Sequence, residues 1–274
     1  MRIVVTGAKG QLGTELTKQA TEAGFEVWAY SSQELDLTQD LHLDLTGVDA
    51  LINCAAYTAV DQAEDEPEKA FAVNAQGVEN LAQLCKKHQV PMVHISTDYV
   101  FDGNKNGAYL ETDRPKPQNQ YGASKLKGEQ LLQATWDKHI ILRASWIFGH
   151  YGNNFVKTIL RLAKQHPQLK IVADQIGSPT ATTHLAQVIL SLLQHPELKN
   201  NWGLYHYSDT PLTSWYNFAK SFIDPKQCEI LPIPSAEYLV KAKRPLNSAL
   251  DCSKIKRVFG ITQMDWHACL LDLP

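Results

Sequence analysis

In the stretch QYGASKLKGE, residues 120–129, Tyr121 and Lys125 stand four apart at the opening of a helix-like run. At that spacing two side chains share one helix face. A free phenol ionises near pH ~10, too high for an efficient acid or base at neutral pH, and a close ammonium favours the phenolate and lowers that value. A second stretch, VHISTDYVFDG, brings Ser96, Thr97 and Asp98 to what reads as the carboxyl end of a strand. The Thr97 hydroxyl can donate to an oxygen on which charge develops. Thr97, Tyr121 and Lys125 together make a site for carbonyl reduction: hydride arrives at carbon, Tyr121 supplies a proton to oxygen, and Thr97 polarises and positions that oxygen. A tyrosine and lysine at this spacing arise often by chance. Their specificity comes from the company they keep.

That company begins with TGAKGQLG, which sets Gly7, Gly10 and Gly13 directly after a first strand and across the start of a first helix. Small residues there allow a tight turn and close backbone approach, and the N–H groups of the helix N-terminus can receive a pyrophosphate. The G-x-x-G-x-x-G spacing differs from the plain dinucleotide fingerprint, so its place in the βα unit carries the argument. After the second strand stand Ser31 and Ser32, with neither an acid to receive the ribose hydroxyls nor an arginine for a 2′-phosphate. The choice between NADH and NADPH therefore stays open. Asp36 and Leu37 follow and could cap the adenine end, with capping of the next turn as the alternative for Asp36. In NCAAYTAVDQAE, Ala55 and Ala56 offer little bulk at a strand end where a cofactor must pass close to backbone. Tyr57 could cover the ribose, line the nicotinamide side, or simply pack.

Stepping outward, the elements that must hold these residues alternate strand and helix through the first 150 positions. RIVVTG, FEVWAYS, ALINCAA, PMVHIST and HIILRAS read as strands. Helices are expected at QLGTELTKQATEAG, from about Pro67 to His88, and from Tyr121. Repeated βα order with nearly continuous apolar strands predicts an α/β fold, a Rossmann-like doubly wound parallel sheet covered on both faces. After Gly149 the pattern loosens: helices are expected at NNFVKTILRLAKQ, at TTHLAQVILSLLQ and from Thr213, and strands at LKIVAD and WGLYHYSD. A proline-rich connector LPIPSAEYL, a polar basic stretch VKAKRPLNSALDCSKIKRVFG and a short last helix from Asp265 complete the chain. Prolines and long polar connections predict a smaller mixed C-terminal substrate domain. The expected division is residues 1–148 for the NAD(P)-binding core, with 182–210 returning to it, and 149–181 with 211–274 for the smaller domain. A cleft between them is the natural binding place.

The 274 residues carry 26 basic and 29 acidic side chains, a net charge of -3 with no basic block, which argues against nucleic acid as a partner. The apolar runs are too short to cross a bilayer, and the start enters a strand with no leader-like segment, so neither membrane nor secretion is expected. Five scattered cysteines suit buried thiols in a reducing, cytoplasmic setting. No Cys or His pair has metal-ligand spacing, and no metal is expected.

The chain resembles the extended short-chain dehydrogenase/reductase superfamily, and within it the dTDP-4-dehydrorhamnose reductase family. VTGAKGQLG, NCAAYTAVDQAE, AFAVNAQGVENLA, STDYVFDG, YGASKLKGE, ILRASWIFG, DQIGSPT and RPLNSALDCSK look like segments of that family in their usual order, over almost the full length. The resemblance implies reduction of the C4 ketone of dTDP-4-dehydro-β-L-rhamnose by NADPH or NADH, giving dTDP-L-rhamnose. It implies Thr97, Tyr121 and Lys125 at the active centre, Lys125 also holding the nicotinamide ribose. It places Asp98 on the sugar nucleotide, Trp146 beside the deoxysugar, and cofactor contacts at Gly10, Gln11, Leu12, Asp36, Leu37, Ala55, Ala56 and Tyr57. From the residues themselves, Trp146 can offer a broad apolar face to a sugar methyl group. Asn153 and Asn154 suit polar contacts or caps, and Arg244 could meet a diphosphate bidentately or edge a solvated lid. Asn74 is expected to order backbone.

Some members of the family form a Mg²⁺-organised dimer through glutamates. Glu15 fits one such position, but His184 and His267 stand where carboxylates would be needed, and imidazole is a poorer ligand for hard Mg²⁺. Mg²⁺ is therefore not expected, Glu15 reads as a solvent-facing helix residue, and a monomer or a differently assembled homodimer is open. Two other readings stand beside the reductase. One is a non-catalytic, nucleotide-binding regulatory subunit, opposed by the intact Thr97, Tyr121 and Lys125. The other is an NDP-sugar reductase or epimerase of different sugar specificity.

Overall fold

A computed structural model describes residues 1–270 of the chain. Its centre is a six-stranded, wholly parallel sheet. The strands are β1 (Arg2–Thr6), β2 (Glu26–Tyr30), β3 (Ala50–Asn53), β4 (Met92–Thr97), β5 (His139–Ala144) and, from much later in the chain, β10 (Gly203–His206). They run in the order β10-β5-β4-β3-β1-β2. The direction of winding reverses between β1 and β3, and open α/β sheets bind ligands outside the strand carboxyl ends at such a point. β3, β4 and β5 are buried along their whole length, which explains their unbroken apolar runs: central parallel strands meet helices on both sides.

One face is covered by α1 (Gln11–Glu22) and α6 (Thr182–Gln194), whose Leu12, Leu16, Leu185 and Ile189 pack on Ile3, Val5 and Ile52. The other is covered by α2 (Pro67–Phe71), α3 (Gly77–His88) and α4 (Gln120–Thr135), with Val78, Leu81 and Leu132 against Val4, Leu51 and Ile141. The single helix expected over 67–88 is interrupted by a π-helical turn at Ala72–Gln76. Such turns gather at functional sites, and this one carries the buried Asn74.

The remaining segments build the irregular cap. It contains β6 (Ile147–Phe148), α5 (Phe155–Ala163), β7 (Gln168–Val172), β8 (Ile176–Gly177), β9 (Thr180–Ala181), β11 (Thr213–Ser214), α7 (Trp215–Lys220) and β12 (Glu229–Ile233), whereas α8 (Ser253–Phe259) packs Ile255 and Phe259 into the core of the main sheet beside β10. Ile159, Ala163, Ile171, Ala219 and Ile223 give it a small core of its own. Three local expectations are corrected. The proline-rich connector begins inside β12, which pairs parallel with β7 in a two-stranded sheet; Pro232 lacks an N–H, but a strand with one free edge tolerates that. The basic stretch hides α8. The last helix from Asp265 is a 3-10 turn, Trp266–Cys269, capped by the Asp265 carboxylate. Residues 271–274 lie outside the described part. Among the described residues no helix is long and apolar enough to cross a membrane.

Candidate active site

The carboxyl edge of the sheet at the switch point opens into two joined cavities, of about 570 and about 670 Å³, which share Gly10, Cys54 and Ala56. The smaller is lined by Gly7, Asp36, Leu37, Ala55, Ala56 and Tyr57, with Ser31 and Ser32. Gly7 has φ +70°, and a Cβ there would sit 2.5 Å from the Ala55 nitrogen, so only glycine lets the first turn pass this close to the end of β3. Gly10 caps α1 without any side-chain hydrogen bond, which leaves the first helical N–H groups to a ligand anion. A two-part groove with small residues at its waist and a helix N-terminus at its middle fits a dinucleotide.

The adenosine end holds details the sequence concealed. Ser31 is occupied: its N–H and hydroxyl both donate to Glu34 Oε2, at 2.8 and 2.7 Å. Lys9 lines the same groove as Ser32, so a cation is present where the strand end alone offered none. Asp36 gives Oδ1 to the N–H and hydroxyl of Thr38, the turn-capping alternative, while still lining the groove. Tyr57 lies in this end and not beside Tyr121; Asn74 grips its backbone in both directions, accepting from Tyr57 N at 2.8 Å and donating to Tyr57 O at 3.0 Å.

The larger cavity is bounded by Thr97, Asp98, Tyr121, Lys125, Trp146 and Asn153, with Gln11 and Leu12 from the glycine turn. Thr97 and Asp98 leave the end of β4. Tyr121 and Lys125 project from the first turns of α4, whose N-cap Asn119 accepts from Gly122 N at 2.7 Å. A Cβ on Gly122 would fall on the Tyr99 carbonyl, so the glycine after Tyr121 lets α4 dock against the β4 exit and brings phenol and threonine together. Thr97 Oγ1 donates to Asp98 Oδ1 at 3.0 Å and accepts from Tyr99 N at 3.1 Å.

The electrostatics correct one expectation. Burial pushes the Tyr121 phenol up to about 12, the Thr97 hydroxyl opposing and Asp98 adding to the rise; the ammonium of Lys125 does not depress it in this arrangement. Lys125 is turned to the protein, donating to Ile95 O at 2.6 Å and lying 3.4 Å from His94 Nε2. Burial lowers Lys125 to about 8, with Glu129 and Cys54 acting the other way. A phenol held protonated is suited to giving a proton rather than taking one. Asp98 is 2% exposed, and burial raises its carboxyl to about 6, with the neighbouring Ser248 and Thr97 hydroxyls opposing the rise. Its Oδ2 is buried and makes no hydrogen bond, which leaves a polar atom in want of a partner.

Trp146 has φ +48°, a costly conformation for a bulky side chain that persists only where its surroundings impose it. Its indole stacks on Trp215 of α7, centroids 3.6 Å apart and planes 9° from parallel, with Phe155 against the far partner at 4.5 Å. The cap therefore supplies half of the aromatic wall, and Trp215, which the sequence reading missed, lines the cavity too. Beneath the floor, Arg143 of β5 donates to both oxygens of Glu129 in α4, at 2.8 and 2.6 Å, while Ser96 of β4 donates to Oε1 at 2.5 Å. This buried group fixes the helix of Tyr121 and Lys125 against the strand of Thr97. A second chain of contacts, Thr6 to Asn53 to His94, ends at Lys125.

Not every expected residue arrives free. Arg244 does not line the cavity; its Nη1 and Nη2 bind the two oxygens of Asp61, at 3.2 and 2.7 Å, so the guanidinium straps the cap to the loop after β3. Asn153 does line it, while Asn154 caps α5 and donates to Gln11 Oε1 at 3.1 Å. Glu15 is 4% exposed, not solvent-facing: it lies on the α6 side of α1, accepting from Gln19, which also donates to Thr183 O. Among the described residues no cluster of His, Cys, Asp or Glu can hold a metal ion.

The family model described as RmlD substrate binding domain matches residues 1–273. A dTDP-4-dehydrorhamnose reductase of Aggregatibacter actinomycetemcomitans is 45% identical, over 99% of this chain and 98% of that protein. Two crystal structures are each 37% identical over 99% of this chain: a dTDP-4-dehydrorhamnose reductase of Clostridium acetobutylicum, with 98% of its chain covered and a TM-score of 0.93, and one of Bacillus anthracis in complex with NADP, with 97% covered and a TM-score of 0.92. Matched along almost its whole length, the chain belongs to the dTDP-4-dehydrorhamnose reductase family, within the extended short-chain dehydrogenases/reductases.

Proposed function

We propose that this protein reduces the C4 ketone of dTDP-4-dehydro-β-L-rhamnose with NAD(P)H, forming dTDP-L-rhamnose. The observation that carries the reading is the convergence of Thr97, Tyr121 and Lys125 on a cavity that runs into a dinucleotide-shaped groove. Residues 1–148 with 182–210 hold the cofactor, and 149–181 with 211–274 close over the sugar. Gly7, Gly10, Gln11, Leu12 and Gly13 receive the pyrophosphate, and Asp36, Leu37, Ala55, Ala56 and Tyr57 enclose the adenosine. Lys9, lining the same groove as Ser32, supports a 2′-phosphate, so NADPH is the better-matched form. Bound NAD(P)H supplies the hydride.

Within this scheme Thr97 donates to the ketone oxygen, and Tyr121, kept protonated by its buried setting, delivers the proton as negative charge develops there. Lys125 holds the nicotinamide ribose. Asp98 takes a sugar hydroxyl on its unpartnered oxygen. Trp146, with Trp215 behind it, faces the 6-methyl group, and Asn153 borders the same space. Arg244 acts through its hold on Asp61 and not as a diphosphate ligand. The test is direct: purified protein, dTDP-4-dehydrorhamnose and each reduced nicotinamide, with oxidation followed by absorbance and product by chromatography. Ketone-dependent oxidation yielding dTDP-L-rhamnose is expected. Cofactor binding without turnover would make the chain a regulatory nucleotide-binding protein, and turnover of other NDP-ketosugars alone would move its specificity.

A further inference from the structure

Away from the cleft, where the carboxyl-terminal 3-10 turn packs on the first turn of α6, three side chains stand in line. Cys269 Sγ lies 3.2 Å from His184 Nε2, and His184 Nδ1 lies 2.8 Å from Asp209 Oδ2. The carboxylate is fully buried and fixed, accepting from Ala181 N at 2.9 Å and from the Tyr207 hydroxyl at 2.8 Å. The thiol is partly exposed, with the Thr183 hydroxyl 3.3 Å away. A nucleophile within reach of a base, and that base oriented by a third group, is the arrangement by which proteins activate a thiol. None of the three lines the cleft.

From this alignment we infer that Cys269 is an activated thiol that accepts low-molecular-weight disulfides, a modification site distinct from the reductase centre. His184 takes the thiol proton, and Asp209 holds the ring so that Nε2 faces sulfur and balances the imidazolium. The His184 ring is raised to about 10, by Asp209 first and Cys269 second. The thiolate attacks one sulfur of the disulfide R–S–S–R. The Cys269 S–S bond forms as the R–S–S–R bond breaks, and the departing thiolate leaves with its electron pair and takes the proton back from His184. The cysteine is oxidised to a mixed disulfide and the reagent is reduced to one thiol. Selectivity follows from the other thiols: burial pushes Cys54 and Cys85 up to about 12, Cys252 up to about 11, and Cys228 in the same direction.

The full-length protein is treated with dithiobisnitrobenzoate, and separately with glutathione disulfide, and each cysteine is followed by peptide mass spectrometry. Native Cys269 is expected to react on the order of tenfold faster than the same cysteine in the urea-unfolded chain, and ahead of Cys54. His184→Gln is expected to remove that excess while ketone-dependent turnover persists. Slower reaction in the native protein than in the unfolded chain, or labelling of Cys54 first, would overturn the inference. So would an unchanged rate in a folded His184→Gln protein. Should that variant not fold, the native-to-unfolded ratio decides on the unmodified chain alone.

Discussion

Replacing Asp98 with asparagine should make the protein more stable and less active at neutral pH. The carboxyl is raised from 3.8 to about 6 because burial penalises its charge more than its hydrogen bonds repay. A proton held that much more tightly in the folded state corresponds to roughly 3 kcal/mol by linkage. The sign follows from the direction of the shift. Between about pH 6 and pH 4 the native chain binds more protons at this site than the unfolded chain, so acidification strengthens the fold; above about pH 6 the full penalty is present. Asparagine keeps the shape, carries no charge, and can turn its amide toward the neighbouring Ser248 hydroxyl. The variant is therefore expected to gain about 1–3 kcal/mol at pH 7 and to lose most of that advantage at pH 4. Urea unfolding of both proteins at the two pH values measures this, and the wild-type comparison cancels every other titration. A variant less stable at pH 7, or a difference that does not shrink on acidification, would refute the reasoning. Turnover of the sugar nucleotide should fall in the same protein.

Three more expectations can be checked alongside it. Glu129→Leu leaves the Arg143 guanidinium buried and unpaired, with a cost of about 3–5 kcal/mol in urea unfolding, and adding Arg143→Met should recover most of it; a single variant as stable as wild type would contradict the buried pair. Lys9→Ala should raise KM for NADPH by several-fold while changing KM for NADH little, since one charge contact to the phosphate is worth about 1 kcal/mol or more; steady-state kinetics with both cofactors decide it. Trp215→Ala removes the ring stacked on Trp146, a contact worth about 0.5–1.5 kcal/mol. Its KM for the sugar nucleotide should rise with cofactor affinity intact, and an unchanged KM would take Trp215 out of the substrate wall.

Much of the fold was legible because its determinants are local. Apolar strands alternating with helices, and glycines in the first βα turn, constrain a parallel sheet whatever the distant contacts are. Thr97, Tyr121 and Lys125 were legible for the same reason, as strand ends and helix starts at the switch point converge by topology. The misses share the opposite origin. Leu12, Leu16 and Ala20 reveal the sheet-facing side of α1, but nothing in that period says that α6 covers the side carrying Glu15. Trp215 and the Arg244–Asp61 pair depend on how the cap docks, a contact between segments far apart in the chain. Pro232 disguised a strand because a two-stranded sheet has an edge to spare. That burial raises the Tyr121 phenol with no relief from Lys125 depends on where Lys125 points, which spacing alone does not reveal.

The most direct measurement is single-turnover reduction of dTDP-4-dehydrorhamnose by Tyr121→Phe, with cofactor affinity followed by nicotinamide fluorescence. If the phenol delivers the proton, the variant binds NAD(P)H as wild type does and reduces the ketone about 10²–10⁴-fold more slowly. Reduction at the wild-type rate with no hydroxyl at position 121 would contradict that assignment.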